Sequence, residues 1–276
     1  MQGDRALLFP PMTDWNPSGV ITVTTDFGHK GPFAAVMTGV IVRRFPDARV
    51  IDLAHDIPAH WPPEAGFWLS RAYAYFPDGT VHIAIVDPGV GTEREIIIAQ
   101  KDQHVFLAPD NGLLAPILEE ADRVCHIDAD RLATIDIGES SLTFQGRDIF
   151  APVAAELAAG RITLDDVGIG FQNWTPGWLD EPETSADRVA GVIVTVDAFG
   201  NLISNIDAAL IESFENPQVE FAGHRIDMKP TYGRATPGDY LALVNSFGVI
   251  EVARAEESAA EGLGCGRGAP IVVISG

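Results

Sequence analysis

Two aspartates and an arginine stand where strand-forming runs end and the chain turns. Asp26 directly follows the β-branched run 20–25. Asp87 follows the apolar run 80–86 and enters a Pro-Gly-Val-Gly turn, with Arg94 shortly after it. A carboxylate at the carboxyl end of a strand can accept two hydrogen bonds from a ribose diol, although Asp26 could equally bond its own turn. Asp87 and Arg94 facing one water would supply a proton acceptor and a positive charge, or could form a structural ion pair.

Strand and helix patterns alternate around these residues in the first part of the chain. Apolar residues recur at helical spacing between Glu64 and Phe76, and an alanine-rich helix is predicted from Asp148 to Ala159, ended by Gly160. The other predicted elements are strands at 20–25, 50–53, 80–86, 95–100, 104–108 and 123–127, a helix at 33–44, and a short helix opened by the turn 109–112. The alternation predicts an α/β domain with a Rossmann-like layered sheet over residues 19–170, after a proline-containing tail, 1–18.

The pattern changes near residue 171. Residues 171–188 hold two prolines, two tryptophans and several acids without periodicity, so they are interpreted as a linker. The predicted strands beyond it are short and separated by turns, with no helix among them: 189–196, 218–221, 240–244, 249–253 and 271–274. This spacing predicts a small antiparallel β-barrel over residues 189–276.

Composition excludes several classes of protein. Hydrophobic residues make up 46% and charged residues 21%, as in a globular chain, and 18 Lys+Arg against 39 Asp+Glu give a net charge of −21. That field repels phosphate backbones, so no nucleic acid is expected as a partner. The first residues lack an apolar run long enough for a membrane span, and Cys125 and Cys265 suit a reducing compartment, so we expect a cytoplasmic protein without a membrane partner.

Other motifs with a possible function do not fit. The sequence from Gly89 to Arg94 lacks the third glycine of a dinucleotide-binding fingerprint. The spacing of His55, Asp56 and His60 does not place three ligands on one face, so no metal site is predicted.

Seven short motifs, in one order over nearly the whole chain from about residue 20, resemble a single family. They are TDFG from Thr25, FPDGTVH from Phe76, VDPGVG from Val86, PDNG from Pro109, TFQGRD from Thr143, DAFGN from Asp197 and NSFG from Asn245. The family is that of the S-adenosyl-L-methionine (SAM) hydroxide adenosyltransferases, relatives of the SAM-dependent fluorinase and chlorinase. The resemblance implies the two domains described above and a homotrimer with active sites between subunits.

The resemblance also implies a catalytic set. Asp87 and Arg94 match the Asp and Arg of the family's Asp–Arg–His set, and the halogenases carry Tyr at the position of Asp87. Gln145 stands at the position of the histidine, and an amide can position a water but cannot take its proton. Gly146 matches the serine that contacts halide in the fluorinase, so fluoride binding is not expected.

The remaining matched residues are implied to bind SAM. Asp26 would hold the ribose. Tyr232 would stack on adenine and Asn201 would bond the adenine edge, although a half-buried strand tyrosine and a turn asparagine are the alternatives. Asp197 and Ser246 would hold the amino-acid end, near which relatives carry an Asp in place of Gly31.

These residues predict SAM hydrolysis by attack of water or hydroxide at ribose C5′, giving adenosine and L-methionine. The sulfonium is already an activated leaving group, so no cofactor is expected and SAM is the substrate. Two alternatives remain open: a SAM- or adenosine-binding protein with little turnover, and a halogenase-type transfer.

Overall fold

The structure is a computed structural model that describes residues 15–138 and 140–276, in two compact units. The first unit ends at Trp178 and the second runs from Leu179 to Gly276, a division that falls inside the predicted linker. The first fourteen residues of the predicted tail lie outside the described residues.

A seven-stranded sheet forms the centre of the first unit. Its strands are β1 (Val20–Thr25), β2 (Arg49–Ala54), β3 (Val81–Ile85), β4 (Ile96–Lys101), β5 (His104–Pro109), β6 (Arg123–Ile127) and β7 (Gly168–Gly170). They lie in the order β2-β1-β3-β5-β4-β6-β7. The first four in that order are parallel, whereas β4, β6 and β7 pair antiparallel. The sheet is therefore mixed, with its parallel half formed by the strands that precede the predicted site residues.

Helices cover both faces of this sheet. They are α1 (Phe33–Arg44), α2 (Pro62–Ala72), α3 (Ala115–Leu118), α4 (Ala129–Thr134), α5 (Ala151–Ala158) and α6 (Leu164–Val167). Side chains alternate across β3, so Ile83 joins the core under α1 and α5, whereas Ala84 joins the core under α2 and α3. The layered α/β prediction is confirmed.

Two predicted helices differ in detail from the observed ones. The segment predicted from Glu64 begins at Pro62, as suits a proline in the first turn, and its last turn, Tyr73–Tyr75, is a 3₁₀-helix. The segment predicted from Asp148 begins as a π-helix, Gly146–Phe150, which continues directly into α5. Gly160 has φ +66°, a left-handed conformation that ends the helix as predicted.

The second unit is an antiparallel sheet curled into a nearly closed barrel. Its elements are β8 (Glu183–Thr184), β9 (Arg188–Val196), β10 (Leu202–Asp207), β11 (Gln218–Phe221), β12 (His224–Asp227), β13 (Tyr240–Val244), β14 (Val249–Arg254), β15 (Pro270–Ile274) and the helix α7 (Ala259–Leu263). The strand order is β12-β11-β15-β9-β10-β14-β13, with β8 beside β9, and a bridge between Met228 and Ala242 links the two ends. The predicted β-barrel is confirmed.

The expectation that this unit holds no helix is wrong. Helix α7 begins at an N-cap, Ser258, whose hydroxyl accepts a hydrogen bond from the Glu261 amide at 3.1 Å, and it ends at the left-handed Gly264. Five residues make little more than one turn, too few to show helical periodicity in a sequence. Among the described residues, no helix is long and apolar enough to cross a bilayer.

Candidate active site

Parallel pairing brings the loops that carry Asp26 and Asp87 to one edge of the sheet. Thr25 at the end of β1 is in register with Ile85 at the end of β3, so Asp26 and Asp87 both follow neighbouring strands at their carboxyl ends. Strand β2 ends beside them, because its Ala54 pairs with Thr24. In open α/β sheets this edge is where ligands bind.

Asp87, Arg94 and Gln145 form one hydrogen-bonded cluster. The Arg94 Nε–H is shared between Asp87 Oδ1 at 3.0 Å and Oδ2 at 2.9 Å. Nη2 of Arg94 donates to Asp87 Oδ2 and also to Gln145 Oε1. The side chains of Arg94 and Asp87 are only 10% and 4% exposed, so the ion pair is almost fully shielded from water. A guanidinium is thereby fixed between the carboxylate and the amide.

The cluster leaves limited, defined hydrogen-bonding capacity for a further molecule. A carboxylate has about four lone-pair sites, and Asp87 receives three hydrogens: two from Arg94 and one from the Gly89 amide, 3.1 Å from Oδ1. Because a guanidinium is a donor only, the atom of Gln145 that faces it is the amide oxygen, and the NH₂ group points away from Arg94. Because the Arg94 Nε–H is divided between the two oxygens, a single water can replace one of its two contacts on Asp87 and accept from the amide donor of Gln145.

Gly146 is buried, and its neighbours leave little room for a side chain. A Cβ there would lie 3.0 Å from Met37 Sδ and 3.3 Å from Ile85 Cδ1. The backbone after Gln145 is therefore packed directly on α1 and β3.

Asp26 lies in a loop braced by the segment that follows β2. Its Oδ2 accepts a hydrogen bond from the His60 backbone amide at 3.1 Å. Thr25 Oγ1 accepts from the Phe27 amide at 3.2 Å and is hydrogen-bonded to His55 Nδ1 at 2.8 Å, and the His55 carbonyl accepts from the Gly28 amide. The turn is thus closed by Thr25 rather than by Asp26, whose Oδ1 still has capacity to accept.

Sequence reasoning did not identify His55 as part of this bracing. Asp52 Oδ1 lies 3.0 Å from the buried Nε2 of His55, but the two atoms are not aligned for a hydrogen bond.

No group of three or more His, Cys, Asp or Glu residues within 15–138 and 140–276 converges as a metal site requires.

An aromatic ring fills the space beside Gly31. A Cβ at Gly31 would lie 2.8 Å from the ring of Phe33. Phe33 packs edge-on against Phe27 and Phe144, with centroid distances of 6.1 Å and 5.6 Å. Residue 31 therefore offers no side-chain contact to a ligand, in contrast to the Asp of the resembling enzymes.

In the second unit, Asp197 and Asn201 form a rigid turn. Asp197 Oδ1 accepts from the backbone amides of Phe199 and Asn201, both at 2.9 Å, and Oδ2 accepts from Asn201 Nδ2 at 2.9 Å. Asn201 is 7% exposed. Because Asp197 takes the Asn201 amide hydrogen, the side-chain oxygen of Asn201 is oriented away from that carboxylate.

Tyr232 is bound to a buried acid that the sequence analysis missed. Its hydroxyl donates to Glu251 Oε1 at 2.7 Å, and Asn245 Nδ2 donates to Glu251 Oε2 at 3.1 Å. Burial raises the pKa of Glu251, and burial and the Glu251 hydrogen bond raise the pKa of Tyr232. The available signal was an acidic residue inside the apolar strand Val249–Arg254. Ser246 is exposed in the next turn.

The predicted site residues therefore fall into two groups. Asp26, Asp87, Arg94, Gln145 and Gly146 belong to the first unit. Those of the second unit are Asp197, Asn201, Tyr232 and Ser246.

Comparison with known proteins gives consistent matches to one family. The model of the SAM hydroxide adenosyltransferase N-terminal domain matches residues 21–168, and that of the C-terminal domain matches residues 191–272. An (R)-S-adenosyl-L-methionine hydrolase of Thermus thermophilus is 35% identical, over 91% of this chain and 97% of its own. One from Salinispora arenicola is 39% identical, over 84% of this chain and 89% of its own.

A solved structure has the same fold. An uncharacterized conserved protein from Thermotoga maritima has a TM-score of 0.84 and 32% identity, covering 92% of this chain and 99% of that one.

Proposed function

Because this chain belongs to the SAM hydroxide adenosyltransferase family, we propose that it is an enzyme that hydrolyses SAM to adenosine and L-methionine. The observation that carries the mechanism is the shielded Asp87–Arg94–Gln145 cluster at the carboxyl edge of the parallel strands.

The nucleophile is a water held between Asp87 and Gln145. It donates a hydrogen bond to Asp87 in place of one contact of the shared Arg94 Nε–H and accepts one from the Gln145 NH₂ group, which orients an oxygen lone pair toward C5′. The new O–C5′ bond forms as the C5′–S bond breaks, and the bonding electron pair passes to the methionine sulfur. The water proton passes to Asp87 and then to solvent. The Arg94 guanidinium stabilises the negative charge that develops on the water oxygen as this proton leaves.

The other residues hold SAM in line with this water. Asp26 accepts hydrogen bonds from the ribose hydroxyls, and Gly146, packed on α1 and β3, holds the neighbouring Gln145 amide beside the reacting centre. Tyr232 stacks on adenine, and the Asn201 side-chain oxygen accepts from the adenine amino group. Asp197 and Ser246 hold the amino-acid end.

The reaction needs no cofactor because the sulfonium is already a good leaving group. A chelator such as EDTA should leave the rate unchanged, and a rate lost on chelation and regained with a metal would contradict this expectation. The two unpaired cysteines in the described residues support a reducing, cytoplasmic location.

The active form is a homotrimer with active sites between subunits. Support comes from the resemblance and from the division of the proposed site residues between two units, with Asp87 in the first and Tyr232 in the second. Light scattering should give three times the 29.6 kDa chain mass. Mixing Asp87→Asn chains with Tyr232→Ala chains should restore activity in hybrid trimers, and a fully active monomer would refute the assembly.

Product analysis in ¹⁸O-labelled water tests the reaction itself. Incubation with SAM should give adenosine and methionine in equal amounts, with the label on the adenosine 5′ oxygen. Binding without products would instead identify a SAM-binding protein, for which the non-basic amide at Gln145 is the favouring observation. A 5′-chlorinated nucleoside formed in chloride buffer would identify a halogenase.

A further inference from the structure

A carboxylate is buried in the wall of the second unit. Glu251 lies in β14, where its backbone pairs with Ile203 on one side and Leu243 on the other, and it is only 2% exposed. The surrounding strand is apolar, so an ionisable group here is costly unless it is fully hydrogen-bonded. The hydrogen-bond partners of Glu251 therefore indicate which role offsets the cost of burying an acid at this position.

Both oxygens of Glu251 are engaged by side chains from loops. Tyr232 OH donates to Oε1 at 2.7 Å and Asn245 Nδ2 donates to Oε2 at 3.1 Å. The negative charge of Asp197 also acts on Glu251 and, together with burial, raises the pKa of Glu251, while the two donors lower it. Glu251 thus interacts with three residues, Tyr232, Asn245 and Asp197, on loops that carry the proposed substrate-binding residues.

The hydroxyl of Tyr232 is anchored while its ring is accessible. The residue begins a short 3₁₀-helix, Tyr232–Arg234, and is 46% exposed. A tyrosine held at its far end by a buried acceptor keeps one ring orientation without covering the ring face. Such a fixed face is what a planar aromatic ligand requires, since the ring then loses little freedom on stacking.

Asn245, the second hydrogen-bond partner of Glu251, connects Glu251 to the turn that follows β13. Asn245 Oδ1 accepts from the Phe247 amide at 3.0 Å and the Val249 amide at 3.4 Å, so the Asn245 side chain shapes the turn that carries Ser246. The same amide group donates its nitrogen hydrogen to Glu251.

From this geometry we propose that Glu251 is a positioning residue for substrate binding, which fixes the Tyr232 ring for adenine and the Asn245 turn for the amino-acid end. The proposal rests on the proposed function, because it takes Tyr232 as the adenine platform. Glu251 itself does not touch the substrate.

The test exchanges the carboxylate of Glu251 with the side-chain amide of Asn245. In Glu251→Gln, an amide NH₂ faces the NH₂ of Asn245, so one hydrogen bond is lost and the network is disturbed. In the double variant Glu251→Gln/Asn245→Asp, the introduced amide donates to the introduced carboxylate, and its oxygen still accepts from Tyr232. Both bonds and the total charge are thereby restored. Glu220→Gln, in an exposed ion pair with Arg225 in the same unit, is the matched control.

Adenosine affinity by calorimetry reports on the Tyr232 ring, whereas KM for SAM, measured with kcat, also reports on the Asn245 turn. Glu251→Gln breaks the Asn245 bond and leaves Tyr232 with a neutral acceptor, so we expect KM to rise by roughly two- to tenfold, the range for ordering one side chain, and adenosine affinity to fall by less. We expect kcat to stay within about twofold, the double variant to recover KM, and Glu220→Gln to match the wild type. Tyr232→Phe should weaken adenosine binding by roughly two- to tenfold, and adding Glu251→Gln to it should cost little more adenosine affinity.

Several results would overturn the proposal. They are no recovery in the double variant, a full additional loss in the Tyr232→Phe background, a fall in kcat at unchanged KM, or no adenosine binding by the wild type. Calorimetry does not depend on turnover. A wild type that binds adenosine but does not hydrolyse SAM would therefore refute the proposed reaction while Glu251 is still tested.

Discussion

Replacing Asp87 with asparagine should reduce both stability and catalysis, and the structure allows the two effects to be separated. The substitution preserves shape but leaves the Arg94 guanidinium, with its side chain only 10% exposed, without a counter-charge. Removing one partner of a buried ion pair costs about 3–5 kcal/mol. Arg94 retains its bonds to Gln145 and to the Glu95 carbonyl, so we expect about 3 kcal/mol, the lower end of that range.

A second variant removes the unpaired charge. Asp87→Asn/Arg94→Gln should recover most of the lost unfolding free energy, because no isolated charge remains buried. It should not recover turnover, because the carboxylate that takes the water proton is still absent. As a control, Glu220→Gln breaks the pair with Arg225, in which both side chains are about half exposed, and should cost about 1 kcal/mol or less without changing kcat.

Urea denaturation and adenosine formation, both measured on the same preparations, check these expectations. Loss of a group that orients and deprotonates water should lower kcat by about 10²–10⁴-fold at temperatures where the variant is folded, with SAM affinity nearly unchanged. Wild-type turnover by folded Asp87→Asn would make Asp87 a purely structural residue and refute the mechanism.

Three further predictions concern other parts of the first unit. His82 is buried and its pKa falls from 6.5 to about 3, so its stability contribution is complete above pH 6.5 and lost as pH falls from there toward 3. Urea titrations should show a loss of about 2 kcal/mol between pH 6.5 and pH 5 that is reduced in His82→Gln. Gly66→Ala should lower Tm, since a Cβ would overlap the Leu113 carbonyl, whereas Gly39→Ala in open space should stabilise by up to about 1 kcal/mol; equal shifts would contradict this. Gln145→Met should lower kcat about tenfold or more at similar KM by removing the amide donor, and an unchanged kcat would exclude its role.

The elements whose signals lie within a few neighbouring residues could be predicted from the sequence. The β-branched run of β1 and the apolar run of β3 identified buried strands, and the acid after each strand identified candidate ligand-binding positions at a sheet edge. Apolar periodicity also located α2, and Gly160 located the end of α5. Seven ordered motifs identified the family.

Contacts between distant positions could only come from the tertiary structure. Gln145 reaches Arg94 only because the π-helix that follows it packs on α1 and β3, and no local pattern encodes that approach. The Glu251 network joins β14 to two loops, and the bonds from His82 to Thr22 and His104, at 2.7 Å and 3.1 Å, cross three strands. Strand and helix periodicity decides which face of an element a side chain occupies, but sheet order and packing decide which residue it meets there. The candidate residues were therefore determined by the sequence, whereas their partners, shielding and remaining hydrogen-bonding capacity were decided by the fold.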